Sequence, residues 1–443
     1  MSESPIPVRQ EPLAPTPLDR IALVRLVALV TVAVALAWIL HGFPVLIVIV
    51  ALLLMVMGHE FGHFVTAKAS GMKVTEFFLG FGPRLWSIRR GETEYGIKMI
   101  PAGGYVRIIG MNSAEEIAAE DEPRSYRAAT FPRRILVAVA GSLMHIVMSF
   151  ILLFVLFGFV GVPTDVGAQI ASVSSFVGQR SPAAQGGVHA GDVIVSVDGH
   201  RYANPERYLT YIESRPGVMI AMVVSRQGHD LTLHLRPQLK STVRVATPQG
   251  VERLAPATAP RTGVIGVEVN FLQKNTPTNP LIAIQRSGSS LVSLTGATFS
   301  QIGTVFSVHG LFSFADSVRV AGTQHSATAG QIGSQNSGQL LSIYGAVVIG
   351  AQAVQTNVAI LIALLVAINL FVGVINLFPM LPLDGGHVVV ACYERIRSRR
   401  GHRYFADVTK LTPVIALFVA FILIMGVAAL YANIVQPVSL PGR

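Results

Sequence analysis

Long apolar runs alternate with short polar segments along most of this chain. A helix that crosses the hydrocarbon core of a bilayer needs about 20 predominantly apolar residues. Five segments reach or approach that length: 21–40, 44–69, 134–161, 357–378 and 413–435. The pattern predicts a polytopic α-helical membrane protein with four to five transmembrane helices. The first segment, which contains an arginine, either spans the bilayer or lies outside the functional core.

A period of two replaces this pattern between the third and fourth apolar runs. Alternating apolar and polar residues are typical of half-buried strands. The pattern therefore predicts a compact β-rich domain at 162–240, inserted between the membrane segments. Residues 238–280 have no clear periodicity and are predicted to form a loop or irregular extension. The alternating stretches are AQIASVSS, DVIVSVDG, MIAMVVSR and LTLHLRP.

The rest of the chain divides around these segments. Residues 1–20 are rich in proline and polar residues, which predicts a disordered tail. Residues 21–161 form the N-terminal membrane part and 357–443 the C-terminal one. Between the β-rich domain and the second membrane part, 241–356 is interpreted as an extracytoplasmic linker with helices on the membrane surface.

Composition and charge agree with a membrane protein. Charged residues make up 13% of the chain and hydrophobic residues 51%, whereas a soluble domain carries about 25% charged residues. The net charge of +10 comes from basic residues in loops, not from a basic stripe on one domain, so no nucleic-acid partner is expected. A single cysteine, Cys392, excludes an internal disulfide and makes a cysteine-based zinc site implausible.

The basic loops also predict an orientation in the cell membrane. Residues 68–134 contain eleven Lys and Arg residues and 391–412 contain six. Short loops rich in Lys and Arg face the cytoplasm. Five spans then place the N-terminus in the cytoplasm and the inserted β-rich domain outside it.

Three ionisable residues interrupt the second apolar run, which reads Gly-His-Glu-Phe-Gly-His at 58–63. His59 and His63 are four apart and share one helix face, so both can bind one metal ion. Glu60 can then take a proton from the attacking water. Such residues are costly in hydrocarbon and are functional candidates by default. The alternative is that they end a helix at the membrane surface.

A catalytic zinc needs a third protein ligand and an open position. The best candidate is Asp384, in the sequence Asn-Leu-Phe-Pro-Met-Leu-Pro-Leu-Asp-Gly-Gly-His at 376–387. Pro379 and Pro382 break the helix there, and the predicted orientation puts this segment at the depth of His63. Alone, Asp-Gly would be an ordinary turn pair. A His₂Asp set with an open position favours Zn²⁺ over other divalent metals.

Two further polar residues flank Asp384. Asn376 could donate a hydrogen bond to a substrate carbonyl or its developing oxyanion, or it could bond across helices. His387 is interpreted as a residue of a helix start, with a fourth metal ligand or a group that supports a ligand as the alternatives.

These two motifs resemble the site-2 protease family, the intramembrane zinc metalloproteases of regulated intramembrane proteolysis. The segment GFGPRLWSIRRGETEYGIKMIPAGGYVRIIGM at 80–111 is also similar to this family. The resemblance implies zinc ligands at His59, His63 and Asp384. It implies Glu60 as the base and Asn376 as a contact to the substrate or transition state.

The resemblance also implies a membrane-re-entrant β-loop near 95–110, with Gly103 and Gly104 in a turn. Its exposed edge would pair with an unwound substrate strand. The third span departs from the family pattern. Where bacterial members often have Gly-Pro-x-x-Asn, this chain has Gly141-Ser-Leu-Met-His145. We interpret His145 as an interhelical hydrogen-bonding residue and not as a metal ligand.

The segment SPAAQGGVHAGDVIVSVDGH at 181–200 is similar to the PDZ domains of bacterial membrane proteases. The inserted domain is therefore expected to be PDZ-like. It could bind a peptide or protein by strand addition, or it could act as a size filter that admits trimmed substrates.

The expected activity is peptide-bond hydrolysis in single-span membrane proteins within the lipid bilayer. Cleavage of a membrane-anchored anti-sigma factor and clearance of leftover signal peptides both remain open. A membrane scaffold without zinc is a competing hypothesis. A metal transporter is another, although its ligands would be spread along the membrane normal.

Overall fold

The computed structural model describes residues 20–112, 115–247, 250–256, 260–323, 341–398 and 404–435. The chain divides into two compact units. One is Val160–Pro277, and the other is made by the chain on either side of it, Met1–Phe159 and Thr278–Arg443. Apart from Arg20, the predicted N-terminal tail lies outside the described residues.

Helices dominate the two-segment unit. Four are long and apolar enough to cross a membrane, and a pair bent by 75°, Pro280–Val305 with Val308–Arg319, could form a fifth crossing. The prediction of four to five such helices is confirmed, although α1 is not one of the four. The helices longer than ten residues are α1 (Arg20–Ile39), α2 (Phe43–Ala69), α3 (Phe131–Val155), α6 (Pro280–Val305), α7 (Val308–Thr323), α8 (Ile343–Thr356), α9 (Val358–Asn376), α10 (Asp384–Arg397) and α11 (Thr412–Val435).

Small residues allow α2 and α3 to pack closely. A Cβ on Gly62 would lie 2.6 Å from the Ala140 carbonyl oxygen, and one on Gly58 would overlap Met148. Gly58 contacts residue 148 and Gly62 contacts residue 140, so residue numbers increase along α2 while they decrease along α3. The two helices are therefore antiparallel. Glycine contacts of this kind are typical of membrane helix pairs, because dispersion contacts replace the hydrophobic effect there.

A bent β-hairpin follows α2. Its strands are β1 (Val74–Arg90) and β2 (Thr93–Ile108). Residues 76–79 of β1 pair with 94–97 on one side and with 104–107 on the other, so β2 reverses direction in between. Gly103 lies at that reversal with φ +153°, whereas Gly104 is already paired with Leu79.

The unit Val160–Pro277 is built on a five-stranded antiparallel sheet of order β11-β3-β4-β5-β6. Its core contains fully buried Ile220, Met222 and Val224. The four strands expected from the alternating pattern are β3 (Val162–Val173), β4 (Val193–Val197), β5 (Ile220–Arg226) and β6 (His229–Leu235). Two short helices complete the fold, α4 (Pro182–Gln185) and α5 (Glu206–Glu213).

The prediction of a loop through 238–280 is wrong for much of that segment. Val267–Thr276 forms β11, which pairs with β3 along its length. The apolar residues Val267, Val269 and Phe271 alternate with polar ones, but the alternation covers only the first half of β11 and ends at a register shift between Leu272 and Gln273. The segment also contains β7 (Gln238–Leu239), β8 (Arg244–Thr247), β9 (Gly250–Arg253) and β10 (Gly263–Val264).

The chain enters and leaves this unit side by side. Val162 at the start of β3 pairs with Thr276 at the end of β11. Just beyond, the Thr278 N–H donates to the Phe157 carbonyl oxygen at 2.8 Å. The whole β-rich unit is thus an insertion with adjacent ends.

A buried ion pair joins the start of α3 to α10. Arg134 Nη1 lies 2.6 Å from Glu394 Oε2, and both side chains are largely buried. The other carboxylate oxygen of Glu394 accepts from the Ala406 N–H at 2.8 Å. This carboxylate therefore links three segments on the polar side of the helical unit.

A second buried ion pair lies in the β-rich unit. Asp192 is 1% exposed and accepts two hydrogen bonds from Arg226, at 2.7 and 2.8 Å, and one from the His189 N–H at 2.9 Å. Burial acts to raise the pKa of the Asp192 carboxyl, but these hydrogen bonds outweigh it and hold the pKa below its ordinary value of 3.8.

We expect Asp192→Asn to destabilise the β-rich unit by about 1–2 kcal/mol, because the hydrogen bonds that Arg226 and the His189 N–H donate to the buried carboxylate are weakened or lost. Hydrogen exchange of peptides from 160–277 in the full-length protein measures this. Since the folded-state pKa is depressed, the contribution is present at neutral pH and is lost as pH falls below the ordinary pKa. Glu268→Gln, at an exposed hydrogen bond to Ser172, is the control and should exchange like wild type. Equal exchange in both variants would contradict the prediction.

Candidate metal centre

Two histidines of α2 form the first part of the site. His59 and His63 are 8% and 4% exposed. One helical turn separates them, and their rings meet edge to face at a centroid distance of 4.8 Å. The two Nε2 atoms are 3.2 Å apart. The four-residue spacing therefore places both ring nitrogens at one point, as the sequence motif predicts.

Asp384 completes the cluster from the first residue of α10. Its Oδ2 lies 3.5 Å from His59 Nε2, and its Oδ1 lies 3.3 Å from His63 Nε2. Gly385 and Gly386 permit the tight turn before it, since a Cβ on either would overlap the backbone of residues 377–381. More than 320 residues of sequence thus separate side chains that lie in contact, as predicted from the two motifs.

The separations of these atoms fit a tetrahedral metal. With ligand bonds of 2.0–2.1 Å, two ligands of tetrahedral zinc lie about 3.3 Å apart. The 3.2 Å between the two histidine nitrogens matches one edge of such a tetrahedron, and each nitrogen has one Asp384 oxygen at a similar distance, Oδ1 at 3.3 Å from His63 and Oδ2 at 3.5 Å from His59. The fourth vertex would remain for water or substrate. His59, His63 and Asp384 together form the metal-binding group found among the described residues.

A hydrogen bond orients the His63 ring for this purpose. His63 Nδ1 lies 2.7 Å from the Val137 carbonyl oxygen of α3. A carbonyl can only accept, so Nδ1 must carry the proton and Nε2 keeps its lone pair. Fixing the tautomer through an outer hydrogen bond is usual for histidines that bind metals.

Gly141 of α3 provides the space for the two rings. A Cβ at this position would overlap both imidazoles, and it would lie 2.6 Å from His59 Nδ1. The close approach of α3 to the site therefore depends on the absence of a side chain here.

Glu60 lies between the cluster and the bent hairpin. It is half-buried, and its Cγ would be 3.4 Å from a Cβ on Gly104. Its carboxyl is within hydrogen-bonding reach of the backbone at Val106. The 104–107 edge of β2 thus runs beside the metal cluster and its adjacent carboxylate.

The other predicted site residues lie on α9 and α10. Asn376 is the last residue of α9 and is half-buried, and its contact to substrate stays a prediction. His387 lies in the first turn of α10 with its ring 6.4 Å from that of Tyr126, edge to face. It is not part of the metal-binding group.

The interhelical hydrogen bond predicted for His145 is present. His145 Nδ1 lies 2.9 Å from Asn369 Oδ1 on α9, and the His145 ring lies 5.1 Å from that of His59. Sequence analysis missed Asn369. The available signal was an asparagine inside an otherwise apolar helix, two turns before Asn376.

A cavity of about 940 Å³ opens beside the cluster. It lies between the end of β2, the segment that follows it and α10. Arg134 and Glu394 line it, together with His387. Leu381 and Pro382 also line it, so the cavity flanks Asp384 on both sides in sequence, although none of the three cluster residues is part of its wall.

Comparison with known proteins identifies the fold around this cluster. The family described as peptidase family M50 matches residues 47–422, which include every residue of the cluster. The chain belongs to this family, the site-2 proteases. The protein is a zinc metalloendopeptidase of the membrane, and its cofactor is Zn²⁺.

Similar relatives support the same assignment. Zinc metalloprotease Rip1 of Mycobacterium tuberculosis is 32% identical over 413 residues, covering 88% of this protease and 96% of the relative. The Mycolicibacterium smegmatis protein of that name is 31% identical, covering 90% of this chain and 99% of the relative.

Among solved structures, the PDZ domain of an SdrC-like protein from Listeria monocytogenes is similar, with 21% identity and a TM-score of 0.17. The matched region covers 25% of this chain and 93% of the Listeria chain.

We expect Gly141→Ala to weaken zinc binding by about 10- to 100-fold, the range for changes beside metal ligands. The new Cβ would displace the His59 and His63 rings. Competition with a chromogenic chelator measures the affinity. Gly288→Ala on α6, where a Cβ meets nothing within 4 Å, is the control and should bind zinc like wild type. Wild-type affinity in Gly141→Ala would show that the rings have room to move.

Proposed function

We propose that this protease hydrolyses peptide bonds within or near transmembrane helices of single-span membrane proteins. The observation that carries the proposal is the convergence of His59, His63 and Asp384 among helices apolar enough to cross a membrane. Burying these groups in hydrocarbon is costly, so a role at that depth is the simplest reason for keeping them there.

In this proposal His59, His63 and Asp384 hold the zinc. The His63 Nδ1 bond to Val137 fixes one ligand, and the position of Asp384 at the start of α10 fixes another. Zinc bound in such a site activates water and polarises the scissile carbonyl.

Glu60 acts as general base and then as general acid. Its carboxylate takes the proton from the attacking water and passes it to the leaving amine. The adjacent position to His59 and the proximity of the β2 edge support this role, because both bring the carboxylate to where a bound peptide would lie.

The edge of β2 at 104–107 would hold the substrate in extended form. A helical peptide has its carbonyls hydrogen-bonded and sterically covered, so it must unwind before attack. Strand addition to an unpaired edge satisfies the backbone groups that unwinding exposes. Asn376 would donate to the substrate carbonyl or its developing oxyanion.

The proposed placement is a multi-pass protein of the cell membrane. The N-terminus and the two basic loops face the cytoplasm, and the PDZ-like unit faces the opposite side. Contact between His63 and Asp384 supports part of this scheme, since it requires the C-terminal ends of α2 and α9 at the same side of the helical unit.

For the PDZ-like unit we propose a role in substrate selection, by peptide binding or by size. Edge strand β11 offers backbone groups for strand addition. Membrane-anchored anti-sigma factors and leftover signal peptides are both single-span substrates that this arrangement would accept.

We expect Glu60→Gln to retain zinc and to lose cleavage by about 10²- to 10⁴-fold, the usual contribution of a general base. The glutamine keeps the shape of the side chain but cannot take a proton. Cleavage of a single-span test peptide by purified protein in detergent, with bound zinc quantified, measures both properties.

The matched control for this variant is Glu116→Gln, an exposed carboxylate outside the site, which should cleave like wild type. Chelation should abolish wild-type cleavage, and added zinc should restore it. If Glu60→Gln cleaves like wild type, or wild type holds no zinc, the proposed mechanism is wrong.

Cysteine labelling tests the orientation. In a Cys392→Ser background, His229→Cys in the PDZ-like unit should react with a membrane-impermeant maleimide in intact cells. Glu120→Cys, in the basic loop before α3, should react only after permeabilisation. Both residues are exposed. Labelling of Glu120→Cys in intact cells, and of His229→Cys only after permeabilisation, would show that the proposed membrane orientation is inverted.

A further inference from the structure

His145 has one ring nitrogen that no established feature of the site uses. The residue is 1% exposed, and its Nε2 has no hydrogen-bond partner among the described residues. A buried polar atom without a partner costs about 1–3 kcal/mol. A buried polar atom without a partner beside a reaction site is therefore a candidate contact for a bound substrate.

The neighbouring hydrogen bonds define which tautomer His145 adopts. Asn369 Nδ2 donates to the Leu365 carbonyl oxygen at 3.0 Å, which fixes the amide so that its Oδ1 faces His145. Oδ1 can only accept, so His145 Nδ1 must carry the proton. Nε2 is therefore an acceptor with a free lone pair.

The helices around His145 place this acceptor next to the metal cluster. His145 lies one turn beyond Gly141 on α3, and Gly141 contacts the His59 and His63 rings. Gly373 of α9 lies against the His145 Cβ, where a Cβ would come within 2.8 Å. The Nδ1 edge of the ring faces Asn369 of α9, so Nε2, at the opposite edge, points away from that residue; the His59 and His145 ring centroids are 5.1 Å apart.

A peptide unwound at this depth exposes backbone N–H groups that need acceptors, because the hydrocarbon offers none. The oxygens of Asp384 and the Nε2 atoms of His59 and His63 are committed to zinc, and Glu60 to proton transfer. Among the described residues, His59 Nδ1 and Ser142 Oγ are also buried without a partner, but His59 Nδ1 carries a proton when its Nε2 binds zinc and a hydroxyl can donate as well as accept, so His145 Nε2 is the atom of these three that can only accept.

We propose that His145 Nε2 accepts a hydrogen bond from a backbone N–H of the unwound substrate next to the scissile bond, and that Asn369 is a positioning residue that fixes its tautomer. This inference rests on the proposed function. It makes the site selective for a peptide whose amide at one position is free to donate.

Three substitutions separate the two edges of the ring. His145→Asn keeps a polar group near Nδ1 for Asn369 but lacks the Nε2 acceptor. His145→Gln places an amide oxygen near Nε2. His145→Phe fills the volume and removes both. We expect kcat/KM to fall about 10-fold or more in the Asn and Phe variants, and Gln to restore most of it.

Asn369→Leu removes the acceptor that fixes the His145 tautomer, and its kcat/KM should fall as much as that of His145→Phe. Asn433→Leu, which removes an equally buried interhelical asparagine bonded to Ser342, is the control for a general loss of helix packing. Zinc content and thermal midpoint are measured for every variant, so that an unfolded variant is recognised.

Ester substitution in the substrate identifies the donor directly. Synthetic single-span peptides carry one backbone ester each, which replaces one N–H by oxygen at positions flanking the cleavage site. One ester should reduce wild-type cleavage about 10-fold and cost nothing further in His145→Asn. The same ester should weaken binding of the uncleaved peptide to Glu60→Gln protein, but not to the Glu60→Gln/His145→Asn double variant.

The inference is overturned if His145→Asn cleaves like wild type, or if each ester costs the same in wild type and in His145→Asn. These outcomes leave the proposed function intact, since wild type would still cleave and Glu60→Gln would not. Failure of wild type to cleave any peptide would instead contradict the proposed function itself.

Discussion

Close approach of α2 to α3 is the constraint on which the site depends. Gly58 and Gly62 let the backbones pack together, and Gly141 leaves room for two imidazoles between them. The same contact brings the Val137 carbonyl to His63 Nδ1. In hydrocarbon, where apolar side chains gain nothing by leaving lipid, this packing and these few polar bonds supply the specificity.

The proposed zinc would add a second constraint, since it would unite α2 with the start of α10. Nitrogen and oxygen atoms with lone pairs approach one another there at 3.2 to 3.5 Å, and a cation between them would turn mutual repulsion into attraction. The buried pair Arg134–Glu394 holds α10 to α3 from its polar end. Metal affinity and the packing of these helices are therefore expected to be coupled.

Sequence patterns predicted the apolar helices, the three residues that form the cluster and four strands of the sheet, because each has a strong local signature. Asp384 was found through its motif, although only the fold shows that it lies at the two histidines. Strand β11 was missed, since its alternation covers only residues 267–271 and is followed by the mainly polar run Gln-Lys-Asn-Thr. Asn369 was also missed, because its importance comes from a partner on α3, which no single segment reveals.

The β-rich unit begins and ends at one point of the helical scaffold, where Val162 pairs with Thr276 and Thr278 bonds to Phe157. An insertion with adjacent ends perturbs its host little, because the host chain needs to bridge almost no gap when the insert changes. Exchange or lengthening of the β-rich module in evolution is therefore expected to leave the helical scaffold and its metal cluster in place. The same junction is a natural graft site for engineering substrate choice.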